Sequence, residues 1–256
     1  MNAQMRRRFG SAAFILGFFV LWELLCRMLG VPDIVLPRPT QIVLTLVERL
    51  PAIWPHAAQT LYTTLVGFAL GIAVGVSLGT LIGSSRLAYD VAYPLLVGFS
   101  SIPKVAVVPI FVLWFGAGTI PAVLTAMILC VFPIVVNVAT GLATTEPELE
   151  DVMRALRATR LDILLNVGLP RTMPYFFASL KIAVTQAFVG TVISETVASN
   201  RGIGNLMMIA SSNFDVPLVF AGLLILAVLG VGLYVAFSIV EARVTGWARR
   251  TEFGVE

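Results

Sequence analysis

Few side chains in this sequence could do chemistry, and those that could are isolated charges inside apolar runs. Lys104 follows Pro103 in the string PKVAVVP, which Pro109 closes. Glu195 stands late in an apolar run, just before the glycine-bearing stretch ASNRGIG. Charge is expensive among lipid, and where it occurs it handles an ion, proton or solute, or is paired off. Lys104 reads either as a counter-charge for an anionic solute or as a cation that snorkels to a boundary or caps a broken helix end. Glu195 reads as lining an outer gate or as bonding the loop that follows it. Pro103, Lys104, Pro109 and Glu195 are therefore the candidates for a translocation path. Glu23 and Arg27 are spaced i, i+4 with the acid first, a pair along one helix face near the outer interface. Lys181, early in its run, reads as snorkelling to the inner side. Nothing supports catalysis. HExxH, GxSxG and GxxxxGK[ST] are missing, and His56, Cys26 and Cys130 stand apart from any cluster. The expectation is a chain that is no enzyme and has no metal site.

The elements that must position these residues are membrane helices. The chain of 256 residues is 58% hydrophobic and 12% charged, against about 25% charged for a soluble domain. The bilayer must act as its solvent. Six stretches approach or exceed the ~20 residues that cross a hydrocarbon core: Phe9–Leu29, Leu61–Ile82, Val91–Phe115, Pro121–Leu142, Met173–Val197 and Pro217–Val240. They are continuously apolar rather than alternating, which predicts helices and excludes a barrel. The expected fold is an all-α polytopic membrane protein, residues 1–256 forming one transmembrane domain of about six helices. The first run is too long for a cleaved signal peptide and predicts an uncleaved anchor.

Arginine distribution sets the orientation. With the N-terminus inside, the inner segments hold Arg6, Arg7, Arg8, Arg86, Arg154, Arg157, Arg160, Arg171, Arg243, Arg249 and Arg250. The outer segments hold Arg38, Arg49 and Arg201, with Arg27 near the boundary. Both termini and the segment 146–170 are thus expected in the cytoplasm. The outer segment 31–59 predicts a short interfacial helix over Thr40–Leu50, separate from the second span. Gly116–Ile120 reads as a tight turn, and Ala198–Val216 as a loop that dips back or covers the outer mouth.

Two spans depart from the ordinary. In the third, Pro94, Pro103 and Pro109 remove helix donors and predict a break; broken backbone at membrane depth survives only inside protein or beside a wet cavity. In the second, Gly67, Gly71, Gly75, Gly79 and Gly83 recur every fourth residue. Such a stripe lets another helix approach closely. It reads as intramolecular packing, as a homodimer seam or as a pore-facing surface.

The segment EPELEDVMRALRATRLDILLNVGLP, residues 146–170, is charged yet amphipathic. Leu149, Val152, Met153 and Leu156 have the i, i+3, i+4, i+7 spacing of one helix face. Outside the bilayer that face needs the rest of the chain or another protein. A docking element between spans points to a machine in which a soluble partner drives the membrane part.

Asp151–Pro170 resembles the EAA loop of the membrane subunits of bacterial ATP-binding-cassette importers. That pattern runs E-A-A, three residues, G, nine residues, I-x-L-P. Val167, Leu169 and Pro170 fill its closing positions. Asp151 stands for the glutamate, Val152 and Met153 for the alanines and Arg157 for the glycine, so Ala158–Thr159 would supply the turn. PKVAVVP with WFGAG at 114–118, LPRPT at 36–40 and ASNRGIG at 198–204 resemble further blocks of the nitrate/sulfonate/taurine branch.

The resemblance implies a core permease over about 60–240 and a bacterial inner-membrane location. Glu150, Asp151, Val152, Met153, Leu156, Arg157, Leu169 and Pro170 become coupling residues. Two cytoplasmic ATP-binding subunits would dock on the loops, holding the ATP and Mg, with no cofactor on this chain. A second permease copy would complete the pore as a homodimer, a periplasmic solute-binding protein would deliver cargo, and no nucleic acid is involved. The cargo class implied is a small anion such as nitrate, a sulfonate, taurine or an aromatic acid; a pyrimidine or flavin vitamin precursor is the alternative. A secondary carrier is disfavoured because carriers show paired broken helices in two related halves.

Overall fold

The computed structural model describes the backbone of residues 3–144 and 147–245, and the side chains there except those at 3–9, 11, 12, 147, 150 and 160. It is helical, with no strand among the described residues. In chain order the helices are α1 (Ala3–Met28), α2 (Pro39–Gly83), α3 (Arg86–Ser100), α4 (Val108–Phe115), α5 (Thr119–Ala143), α6 (Pro147–Ala155), α7 (Arg160–Ile163), α8 (Leu169–Ala198), α9 (Ile203–Ser212) and α10 (Val216–Val244). A 3₁₀ turn, Lys104–Val107, precedes α4, and a π-helical turn, Leu164–Gly168, joins α7 to α8. Among the described residues four helices are long and apolar enough to cross a membrane, and five when the bent pair α3–α4 counts as one span. α1 covers the first predicted run. The chain termini, residues 1–2 and 246–256, lie outside the described residues.

The glycine stripe explains the core. Each of its members faces α5 in a constant register: Gly67 meets Ala126, Gly71 Cys130, Gly75 Ile134, Gly79 Val138 and Gly83 Leu142. A Cβ added at any of them would come within 3.0 Å of those side chains. Both helices advance by four residues per contact, so α2 and α5 run parallel with their backbones in close approach. Of the three readings of the stripe, the structure shows the intramolecular one. α8 packs antiparallel against α5, Gly190 near Thr125 and Gly141 near Thr172. The three helices close around Phe68, Ile134, Val138, Leu180 and Val184.

α2 corrects an expectation. It is one helix of 45 residues, about 68 Å long at ~1.5 Å per residue, so no separate interfacial helix covers Thr40–Leu50. Pro51 and Pro55 lie inside it, each at a cost of about 3 kcal/mol in an isolated helix. Packing overrides that cost here. Ile53 and Ala57, on the turns between and beyond the prolines, are buried against Ile203, Ala210 and Leu218. Glu23 supports the start of α2, accepting hydrogen bonds from the Thr40 backbone N–H (3.1 Å) and hydroxyl (2.9 Å) while pairing with Arg27 at 2.8 Å.

The third span breaks as its prolines require, with a bend of 77° between its two parts. The break falls at Ser101–Pro103. Pro94 stays inside α3, and Pro109 sits in the first turn of α4, where its missing N–H costs nothing. The turn after α4 uses Gly116 (φ 77°) and Gly118 (φ 147°), and the Gly118 N–H donates to the Ala198 carbonyl at the end of α8. The segment expected as an outer loop contains helix α9, with Ile203 and Gly204 buried.

Candidate functional site

The contacts place the candidates at the two ends of one bundle and at the break of the third span. The ends of α2, α5 and α10 and the loop α6–α7 share one end. The first halves of α2 and α5, the end of α8, and α9 share the other.

At the first end, α6 presents the predicted apolar face. Val152 and Leu156 are exposed, and Leu149 and Met153 are half-buried. Asp151 is exposed and lies 3.7 Å from Arg154. The Glu150 side chain is outside the described set. The chain then reverses through a Schellman motif: the Arg157 N–H donates to the Arg154 carbonyl and the Ala158 N–H to the Met153 carbonyl. Arg157 itself takes the left-handed conformation, φ 60°. The expectation that Ala158–Thr159 would make this turn is corrected: an arginine fills the glycine conformation. Thr159 instead caps α7. Its N–H and hydroxyl donate to Asp162 at 2.8 and 2.6 Å, and its Oγ1 accepts the Asp162 N–H at 3.2 Å. Leu169 is half-buried and Pro170 exposed in the first turn of α8.

In the broken span Lys104 is half-buried. Its Nζ donates to the Ser100 carbonyl at 3.4 Å, over the last turn of α3, and lies 4.9 Å from the Phe132 ring centroid. It caps the broken end and stacks on an aromatic face. Pro103 and Pro109 are exposed beside it.

Glu195 is 1% exposed and lies elsewhere, beneath α9. Its Oε2 accepts from the Thr60 hydroxyl (2.8 Å) and the Gly204 N–H (3.1 Å). Thr60 Oγ1 also accepts the Ile203 N–H at 2.9 Å, and His56 Nδ1 lies 3.0 Å from the Gly202 oxygen. Gly202 (φ 115°) is obligatory: a side chain there would overlap the Glu195 carboxylate. Glu195 thus binds the segment that follows it. The structure does not bring Lys104 and Glu195 into one site. His56, Thr60 and Gly202 were missed as a group, since residues 140 positions apart carry no spacing signal.

Lys181 departs from the snorkelling expectation. It pairs with Glu241 of α10 at 2.6 Å, both side chains mostly buried.

The comparisons with known proteins fit this geometry. Residues 67–246 match the model of the binding-protein-dependent transport system inner membrane component family. The formylaminopyrimidine transport permease protein ThiX of Halalkalibacterium halodurans is 34% identical over 93% of this chain and 95% of that protein. The riboflavin transport system permease protein RibX of Chloroflexus aurantiacus is 34% identical over 93% and 90%. The putative aliphatic sulfonates transport permease protein SsuC of Bacillus subtilis is 28% identical over 88% and 83%. Among solved structures, the MetNI methionine ABC transporter in an inward-facing conformation aligns with TM-score 0.66 at 20% identity, over 76% of this chain and 98% of that one. The chain therefore belongs to the binding-protein-dependent transport system inner membrane component family, the permease subunits of ABC importers.

Proposed function

We propose that this permease imports a flat heteroaromatic vitamin precursor, of the pyrimidine or flavin kind, delivered by a periplasmic binding protein. The observation that carries the choice is the state of Lys104. Its ammonium donates to the Ser100 carbonyl and lies over the Phe132 ring, a local capping that favours a structural role over that of counter-charge for an anionic solute. The relatives at 34% identity named for such cargo support the same choice. The anion reading (nitrate, sulfonate, taurine or an aromatic acid) rests on the sulfonate, taurine and nitrate relatives at 22–28% identity.

Force comes from a second chain. Two ATP-binding subunits, which hold the ATP and Mg, dock on the α6 faces of two permease copies. Their closure moves the loops as levers, and the helices rock between inward-open and outward-open states. Both termini and the loop face the cytoplasm of a bacterial inner membrane. The test of cargo is uptake into proteoliposomes of the assembled transporter. Lys104→Met should keep pyrimidine or flavin uptake within about fivefold, since a charge contact of this kind contributes under ~1 kcal/mol. Uptake of nitrate or a sulfonate that Lys104→Met abolishes would overturn the choice.

A further inference from the structure

We propose that the cavity at the α6 end of the bundle holds the phosphate headgroup of an anionic phospholipid. Its volume is about 600 Å³, within the range of small-molecule sites. Arg86, the first residue of α3, and Arg154, on α6, line it, and Arg154 also lies 3.7 Å from Asp151. Ser85 adds a hydroxyl that can donate, while the Ser84 hydroxyl, also in the lining, donates to the Leu81 carbonyl at 2.9 Å. Ser85 also caps α3, a helix of 15 residues, so the helix start faces the same space. Arginine forks match phosphate oxygens.

The rest of the lining identifies the source of that phosphate. Leu142, Leu161 and Leu164 make the other wall, which a free inorganic anion does not need. A second cavity of about 420 Å³ adjoins, lined by Val76, Val138, Leu165, Met173 and Phe176. Leu164 lines the first and Leu165, the next residue of the π-helical turn, lines the second. A polar chamber beside an apolar cleft suits a headgroup with an acyl chain. The level is also right, because Gly83 and Leu142 end two membrane helices. Basic pockets between membrane helices on the inner side collect anionic headgroups. A lipid bound here ties Arg154, and with it α6, to the bilayer surface. The lever's resting position then depends on the anionic lipid around it.

The experiment uses the full purified chain in phosphatidylcholine nanodiscs and measures retention of fluorescent phosphatidylglycerol. The structure predicts preference for phosphatidylglycerol over labelled phosphatidylcholine. Arg86→Gln with Arg154→Gln should weaken it about thirtyfold, roughly fivefold per arginine, and Leu161→Asn should weaken it too. Arg201→Gln, at the opposite end, should change nothing. Inorganic phosphate and glycerol phosphate should compete only weakly. Equal retention of the two lipids, or unchanged affinity in the double variant, overturns the proposal. So does displacement by inorganic phosphate as effective as by unlabelled phosphatidylglycerol, which would make this a free-anion site. Both arginines are exposed; if the double variant nonetheless fails to fold, Arg86→Gln alone and the competition series decide.

Discussion

Arg157 shows how one residue can keep a motif's geometry while losing its usual amino acid. A non-glycine residue in the left-handed region costs about 1–2 kcal/mol. Glycine there would relieve that strain but add unfolded-state entropy of ~0.4–1 kcal/mol. Arg157→Gly should therefore stabilise the purified chain by about 0.5 kcal/mol, seen as a small rise in its thermal midpoint. A loss of stability would mean that the arginine side chain holds the turn by contacts of its own. Glu195 makes a sharper case. Removing its carboxyl group leaves the Gly204 N–H buried without its acceptor, while the Thr60 hydroxyl falls back on the His56 carbonyl at 3.2 Å. Such an unpaired group costs about 1–3 kcal/mol. Glu195→Ala should thus destabilise the chain by about 1–3 kcal/mol, whereas Glu195→Gln, which keeps an oxygen, should lose less than half of that. Equal losses in the two variants would contradict the assignment of the loss to the missing acceptor.

At the scale of the element, the glycine stripe makes the largest claim. Gly75→Val would drive its side chain into Ile134 across a parallel helix pair. Overpacking of this kind costs about 1–3 kcal/mol, while Val74→Leu, on the exposed side of the same turn, should be neutral. Thermal unfolding in detergent separates the two; equal midpoints would mean that α2 and α5 can part without penalty. The stripe was legible in the sequence as a surface for close approach, because small residues every fourth position let another helix come near, but intramolecular packing, a homodimer seam and a pore-facing surface stayed open until the structure showed α5 against it. Its partner was not legible, since Ala126, Cys130 and Ile134 are ordinary membrane residues on their own. The break at Pro103 was legible from proline chemistry. The continuity of α2 through Pro51 and Pro55 was not, because burial of Ile53 by α9 decides it. The charges divided in the same way. Glu23–Arg27 could be read from spacing within one helix, but Lys181–Glu241 joins two helices 60 residues apart.

At the scale of the whole molecule, the apolar face of α6 stands exposed among the described residues. Val152 is 58% and Leu156 73% exposed on a helix that lies between membrane spans. Helices of this length are marginal in water without packing. A capped turn, a Schellman reversal and a π-helical junction hold that face in place, which supports the docking role proposed for it. The long α8 is continuous with α7 through that π-helical turn, a stiff element that the proposed lever motion would use. The most direct measurement is on the assembled transporter. Val152→Asp with Leu156→Asp should leave the permease folded and membrane-inserted. It should also cut retention of the ATP-binding subunits, and solute-stimulated ATP hydrolysis, by at least about tenfold, as loss of a central apolar anchor does. Full retention of those subunits with undiminished stimulated hydrolysis in this variant would contradict the account.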